Sequence, residues 1–343
     1  MSKIKPSKGA PYARIMGVGG YRPVRVVPNE VILETIDSSD EWIRSRSGIA
    51  TRHWASPEET VAAMSVEAAG KAIADAGITP EQIDAVVVST VSHFKQTPAI
   101  ATEIADRIGA GRPAAFDISA ACAGFVYGLT LAKGMIVEGS AGHVLVIGVE
   151  RLSDLTDLED RATAFLFGDG AGAVVVGPAQ EPMIGATVWG SEGDKSDTIR
   201  QTVPWDDFHA GATKAGATEA GSGEKFPAIT QEGQAVFRWA VFEMAKVAQQ
   251  ALDAAGITPD DLDVFIPHQA NMRIIDSMVK TLKLPESVTV ARDVETTGNT
   301  SAASIPLAME RILATGQAKS GDTALVIGFG AGLVYAATVV TLP

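Results

Sequence analysis

Ala72–Val88 reads AIADAGITPEQIDAVVV and Ala251–Pro267 reads ALDAAGITPDDLDVFIP, an offset of 251 − 72 = 179. In the first copy, Thr60–Ala76 has the spacing of an amphipathic helix and Gly77 closes it. Ile78-Thr79-Pro80 turns the chain, and Ile83–Thr90 follows as a buried strand. Further along, Leu145–Gly148 (LVIG) recurs as Leu325–Gly328 (LVIG), an offset of 325 − 145 = 180. Local turn preferences explain the first match but not a second one at the same spacing. The chain therefore reads as an internal duplication. Two α/β halves, residues 1–180 and 181–343, join near 180–230. Each half runs helix, strand, loop, helix, strand, which places helices on mixed or parallel sheets.

Composition narrows the function. The 343 residues carry a net charge of −13 and 46% hydrophobic content, enough for a large core. That charge argues against nucleic acid as the main partner. Lys3, Lys5 and Lys8 are followed by no apolar run, so no secretory signal is expected. The apolar runs are strand-sized, which gives no expectation of a membrane partner. One cysteine excludes an internal disulfide, and the expected compartment is the cytoplasm.

That cysteine, Cys122, lies in Phe116–Glu138, FDISAACAGFVYGLTLAKGMIVE. Phe125, Leu129, Ala132 and Ile136 recur at helical spacing, so a helix should begin near the cysteine. A thiol in a first helical turn meets unpaired N–H groups and the positive end of the macrodipole, which predicts a stabilised thiolate. Taken alone, such a cysteine is more often a small buried hydrophobe.

Two further positions change that balance. His268 follows the strand Val264–Ile266 directly, and Asn299 lies in TTGNTSAAS (Thr296–Ser304), ahead of a helix at Ile305–Ala314. Cys122 plus 180 falls inside that Asn loop, so the duplication sets the two loops against each other. Cysteine supplies an acyl carrier, and His and Asn supply hydrogen bonds to a carbonyl oxygen that becomes negative. Asn cannot accept a proton, so the set suits an enolate better than water activation. Gly328–Gly332 (GFGAG) offers backbone N–H groups for an oxyanion hole with that of Cys122.

Elsewhere the reading is local. Arg14–Gly19 reads as a strand, Asn29–Ile36 as a short helix, and Ser38 or Ser39 caps the next helix. Ala210–Glu224 (AGATKAGATEAGSGE) reads as a surface loop flanked by Trp189, Trp205, Phe208 and Phe226. A pocket-bordering loop and a plain insertion are equally good readings of it.

The motifs DEWIRSRSGI (Asp40–Ile49), ACAGF (Ala121–Phe125), FGDGAGA (Phe167–Ala173), HQAN (His268–Asn271) and GNTSAASIP (Gly298–Pro306) resemble those of β-ketoacyl-acyl-carrier-protein synthase III. This is a family of thiolase-superfamily condensing enzymes, and the resemblance covers nearly the whole chain. It implies a thiolase-like, five-layered αβαβα fold, usually as a homodimer. It implies a ping-pong reaction in which an acyl-CoA primer acylates Cys122, and malonyl-acyl-carrier protein then loses CO₂ and attacks. By resemblance, Cys122, His268 and Asn299 are the catalytic set, with Cys122 and Ala331 forming the oxyanion hole. Trp42, Arg46 and Arg161 match CoA contacts, and Gly233, Phe237, Ala270 and Asn271 match the pantetheine tunnel. Carrier-protein docking is expected at Gln269, Ala270, Asn271, Met272, Arg273, Lys280 and Lys283. No metal or cofactor is implied, CoA thioesters being substrates.

The chain departs from the family at Ala331, where glycine is common. Thr97 stands where acetyl-preferring members carry a phenylalanine that reaches the partner's acyl pocket, so branched primers are expected. A polyketide-starter synthase, a non-catalytic acyl-CoA or carrier-binding module, and a thioesterase are the alternatives. The Cys/His/Asn set weakens the last two.

Overall fold

A computed structural model describes residues 4–214 and 225–343. Two five-stranded sheets are each wrapped by helices. The first sheet contains β1 (Tyr12–Tyr21), β2 (Ala85–Ser89), β3 (Ala114–Ile118), β4 (Val144–Arg151) and β5 (Asp169–Ala179), in the order β1-β5-β4-β2-β3. The second contains β6 (Val188–Gly190), β7 (Val264–Pro267), β8 (Thr289–Val290), β9 (Thr323–Gly330) and β10 (Val334–Thr341), in the order β6-β10-β9-β7-β8. The two orders are the same. So are the pairings: β2 lies parallel to β3 and β4 as β7 lies parallel to β8 and β9, with the remaining pairs antiparallel.

Three helices accompany each sheet: α1 (Val61–Asp75), α2 (Ile100–Arg107) and α3 (Gly124–Glu138), then α4 (Ala245–Ala255), α5 (Met272–Leu282) and α6 (Ser304–Ala314). Helices α1 and α2 cover the outside of the first sheet, α4 and α5 the outside of the second, and α3 and α6 lie between the sheets. The layers are thus α, β, α, β, α, as the thiolase-like resemblance implies. Phe125, Leu129 and Ala132 of α3 share one core with Ile305, Ala308 and Ile312 of α6 and with valines of both sheets. The stretch Ala121–Glu138 is long and apolar enough to cross a membrane by composition. Here it is the middle layer.

The duplication holds at atomic detail. Ala121 (φ +42°) and Ser301 (φ +47°) both adopt the left-handed region, 301 − 121 = 180 residues apart. Each opens a single 3₁₀ turn, Ala121–Ala123 or Ser301–Ala303, that leads into α3 or α6. Gly148 in β4 and Gly328 in β9 are also 180 apart, and each admits the other half's turn. A Cβ on Gly148 would lie 2.1 Å from the Ala302 carbonyl oxygen, and one on Gly328 would lie 2.8 Å from that of Cys122.

Local expectations need three corrections. The helix expected over Asn29–Ile36 stops at Ile32. Trp205–Lys214 is helical, so the first part of the expected Ala210–Glu224 loop belongs to a helix; 215–224 lies outside the described residues. The flanking aromatics also divide. Phe94, Trp205, Phe208 and Phe226 stack together, whereas Trp189 packs on Tyr127.

Candidate active site

A cavity of about 690 Å³ collects Cys122 from the first half and His268, Asn299 and Ala331 from the second. The crossing of the two turns over Gly148 and Gly328 makes this possible. Cys122 sits in the 3₁₀ turn before α3, His268 follows β7, and Asn299 bridges to Phe167 just ahead of the second turn. Gly330 has extended backbone but no room for a side chain, because a Cβ there would lie 2.9 Å from the Cys122 Cβ, N and Sγ. Ala331 follows it with a negative φ, a backbone conformation that a residue with a Cβ adopts without strain.

Electrostatics correct one expectation. Cys122 is half-buried against the cavity, and burial pushes its thiol up to about 12. The Ser301 hydroxyl and the residue's own N–H pull the other way, while Glu150 adds to the rise. Desolvation outweighs the helix start, so the resting residue is a thiol, not a thiolate.

His268 is 2% exposed, and burial lowers its pKa to about 3, so the ring is neutral. Its Nδ1 lies 2.7 Å from the Ser304 hydroxyl, which also receives the Gln269 N–H at 3.4 Å. Where Ser304 donates to Nδ1, Nε2 carries the ring proton and is the free donor of the ring. Phe329 holds the ring edge-to-face at 5.3 Å, and Trp239 packs on Phe329 at 6.1 Å. The Trp239 indole N–H in turn donates to Glu192 at 2.7 Å. Asn299 Oδ1 accepts the Ser301 N–H at 2.8 Å, which leaves the Nδ2 hydrogens as donors. A neutral imidazole and an amide donor lining one cavity match an oxygen that gains charge during reaction.

The other expected residues separate into groups. Ala270 lines the cavity. Gly233 and Phe237 do not: Gly233 is exposed, and Phe237 lies under the Arg273 guanidinium at 4.7 Å. The cavity wall there is Val236 and Trp239 instead. Asn271 caps α5 through the Arg273 N–H and donates to the Arg46 carbonyl, so its side chain is used in holding two helices together. Gln269 is corrected outright. It is 1% exposed, donates to the Pro267 and Ala291 carbonyls and accepts the Val294 N–H, so no partner protein can touch it.

Met272 is half-buried against Gly48, and Arg273, Lys280 and Lys283 are exposed. Lys283 has left the helix, with φ +53°, so it does not continue the expected helix face. Asp276 is paired to Arg292 at 2.7 Å. Trp42 packs edge-on against Phe165, with the Arg46 and Arg161 guanidinium groups 5.9 and 5.1 Å from its ring. Thr97 is exposed beside cavity-lining Gln96 and does not line the cavity of its own chain.

Sequence reasoning missed Glu150, Ser301 and Ser304. Glu150 is fully buried at the end of β4, with its carboxyl pushed up to about 7 by burial. It accepts from the Ser92 hydroxyl at 2.6 Å and from the Val91 N–H, and so fixes the Thr90–Ser92 segment along the cavity. Among the described residues, no group of three or more His, Cys, Asp or Glu could hold a metal ion.

Comparison with known proteins bears directly on this arrangement. The profile of 3-oxoacyl-[acyl-carrier-protein] synthase III matches residues 116–193, and its C-terminal counterpart matches 252–342. Beta-ketoacyl-[acyl-carrier-protein] synthase III 1 of Streptomyces coelicolor is 84% identical, with 100% of both chains covered. The crystal structure of the priming β-ketosynthase of the R1128 polyketide biosynthetic pathway is 44% identical, with a TM-score of 0.94 over 100% of this chain and 99% of that one. The synthase III of Aquifex aeolicus VF5 is 37% identical, with a TM-score of 0.85 over 96% of this chain and 99% of that one. With its duplicated fold and its Cys, His and Asn on one cavity, the chain belongs to the 3-oxoacyl-[acyl-carrier-protein] synthase III family of condensing enzymes.

Proposed function

We propose that the chain joins an acyl-CoA primer to malonyl-acyl-carrier protein by decarboxylative Claisen condensation, starting type II fatty acid synthesis in the cytoplasm. The observation that carries the residue roles is the convergence of Cys122, His268 and Asn299 on one cavity from both halves. In the first stage the Cys122 sulfur attacks the acyl-CoA carbonyl, and the backbone N–H groups of Cys122 and Ala331 receive the oxyanion. The CoA thiol leaves carrying the proton that Cys122 loses. In the second stage malonyl thioester loses CO₂, and the enolate oxygen takes hydrogen bonds from His268 Nε2 and Asn299 Nδ2. The enolate carbon attacks the acyl-Cys122 carbonyl, the C–S bond breaks, and the released Cys122 thiolate takes up a proton from solvent. Neither donor changes its charge, which suits a buried imidazole.

Trp42 flanked by Arg46 and Arg161 has the chemistry to stack the CoA adenine and hold its phosphates. Arg273, Lys280 and Lys283 form the carrier-protein patch, and the Arg292 partner of Asp276 limits the opposing field. Two copies form a homodimer; the outer edge of β3, paired on one side only, supports this. Thr97 then reaches the partner's acyl pocket and leaves room for branched four- or five-carbon primers. Each extra buried CH₂ favours binding by about 0.8 kcal/mol. A second reading is polyketide priming, favoured by the 44% identity to a priming ketosynthase.

Intact-mass measurement after incubation with acetyl-, isobutyryl- and isovaleryl-CoA tests the first stage. One acyl adduct per chain is expected in wild type and none in Cys122→Ser; adduct on the Ser variant would refute the nucleophile. Chasing the acyl-enzyme with malonyl groups on fatty acid and polyketide carrier proteins separates the two pathways. Thr97→Phe should shift kcat/KM toward acetyl-CoA by about tenfold. No narrowing would remove Thr97 from primer choice.

A further inference from the structure

We propose that the Ser301 hydroxyl is a further catalytic group, donating to the Cys122 sulfur as it becomes a thiolate. The inference rests on Cys122 being the nucleophile proposed above. Ser301 lines the cavity with Cys122 and is 3% exposed, so the cavity wall is the place its side chain can act. The turns that carry the two residues pack against each other, and the hydroxyl acts on the thiol in the direction that lowers its pKa.

The backbone at Ser301 explains how this aim is kept. A φ of +47° is unfavourable for a residue with a Cβ, on the order of 1–3 kcal/mol, and persists where its surroundings enforce it. Here the Gly148 contact holds the turn from one side, and the Ser301 N–H is fixed to Asn299 Oδ1 at 2.8 Å from the other. One residue therefore serves both stages through different atoms. Its N–H orients the Asn299 amide toward the enolate, and its hydroxyl faces the nucleophile. The equivalent strained residue in the first half, Ala121, has no hydroxyl, so this use of the turn belongs to the second half alone.

The need for such a donor follows from the sulfur's surroundings. Buried Glu150 on β4 raises the cost of a thiolate as it ionises. His268 on β7 is neutral and brings no positive charge. Asp117, His93, Lys95 and Arg200 also line the cavity, and the Asp117 carboxylate is engaged by the Ile100 and Ala101 N–H groups. A hydroxyl is a neutral donor that needs no ionisation of its own. Hydrogen bonds to charged groups are about twice as strong as neutral ones, so the bond strengthens as the thiol loses its proton. In acylation that proton ends on the departing CoA thiol. In condensation the same donor stabilises Cys122 as a leaving group.

Because the protein has one cysteine, iodoacetamide alkylation reports Cys122 without interference and without any acyl substrate. We expect Ser301→Ala to lower the alkylation rate roughly tenfold at pH 8 and to move the pH midpoint upward. Ser301→Gly, which relaxes the turn and also lacks the hydroxyl, should behave alike. CO₂ release from malonyl substrate should fall by a smaller factor than alkylation, because the Ser301 N–H that meets Asn299 Oδ1 is retained while the hydroxyl is lost. An alkylation profile that overlays wild type in either variant overturns the proposal. So does a fall in CO₂ release as large as the fall in alkylation, which would make Ser301 a support for Asn299 alone. If alkylation behaves as expected but no acyl adduct forms, the thiol assignment stands and the proposed substrate is at fault.

Discussion

The turns Ala121–Ala123 and Ser301–Ala303 have the same backbone and different chemistry. Both begin at a left-handed residue, both are admitted by a glycine in the opposite sheet, and both lead into a central helix. Their side chains diverge. One carries Cys122 where the other has Ala302, and one begins its helix with Gly124 where the other has Ser304. Gly124 is required because a Cβ there would collide with the Ser89 hydroxyl, whereas Ser304 has room to hold His268. Two residues past the paired glycines, Glu150 stands opposite Gly330. The duplicated part is thus a backbone frame, kept by close approach. The reaction resides in the few side chains at which the halves stopped being equivalent.

The largest test removes one of those side chains. Asn299→Ala should cut CO₂ release from malonyl substrate about 10²–10³-fold while still accepting an acyl group on Cys122. Equal losses in both stages would mean the second turn also builds the first stage. A middle-sized test attacks the frame itself. Gly148→Ala drives a Cβ into the Ala302 carbonyl and should lower unfolding free energy by about 3 kcal/mol in urea titrations. Gly134→Ala, on the exposed side of α3 with nothing within 4 Å, should instead stabilise by up to about 1 kcal/mol. Similar values for the two would break the claim that paired glycines lock the turns.

The gentlest test, a change in pH slope and not in midpoint stability, concerns Glu150. Its folded pKa, about 7, lies above the ordinary 4.5. Between those values the folded protein keeps a proton that the unfolded chain has released. Stability therefore falls as pH rises from about 4.5 to about 7, then levels off. The full drop from this group is about 3 kcal/mol. Asp169, raised by burial to about 6, slopes the same way and stays in the variant. Glu150→Gln should make the fall in stability between pH 5 and 8 shallower than in wild type. An unchanged slope would show that Glu150 is already ionised in the folded protein.

The frame was legible because a helix, a turn and a strand repeat as local patterns, and LVIG recurs within one residue of the same offset. Cys122 and Asn299 were legible because the duplication itself brings their loops together. The thiol's ionisation was not. Helix starts are local and visible in sequence, but the burial that overrides them comes from the other half. Gln269 was misread for a similar reason, since a polar residue beside an expected docking helix looks exposed until β7, Ala291 and Val294 close over it. The helix over Trp205–Lys214 was hidden by the Gly, Ala and Thr of its second part, a composition that reads as loop. Ser301 lay inside a quoted motif, yet its left-handed backbone and its target across the cavity have no periodic signature.

Helices α3 and α6 form one layer between the two sheets, and that placement sets a schedule as well as a shape. Phe125, Leu129 and Ala132 need Ile305, Ala308 and Ile312 to complete their core, and those residues are made more than 160 positions later. At roughly 5–20 residues per second of synthesis, the first half leaves the ribosome about 10–30 seconds before its missing wall exists. For that interval the face of α3 that ends up innermost is the face most open to the cell.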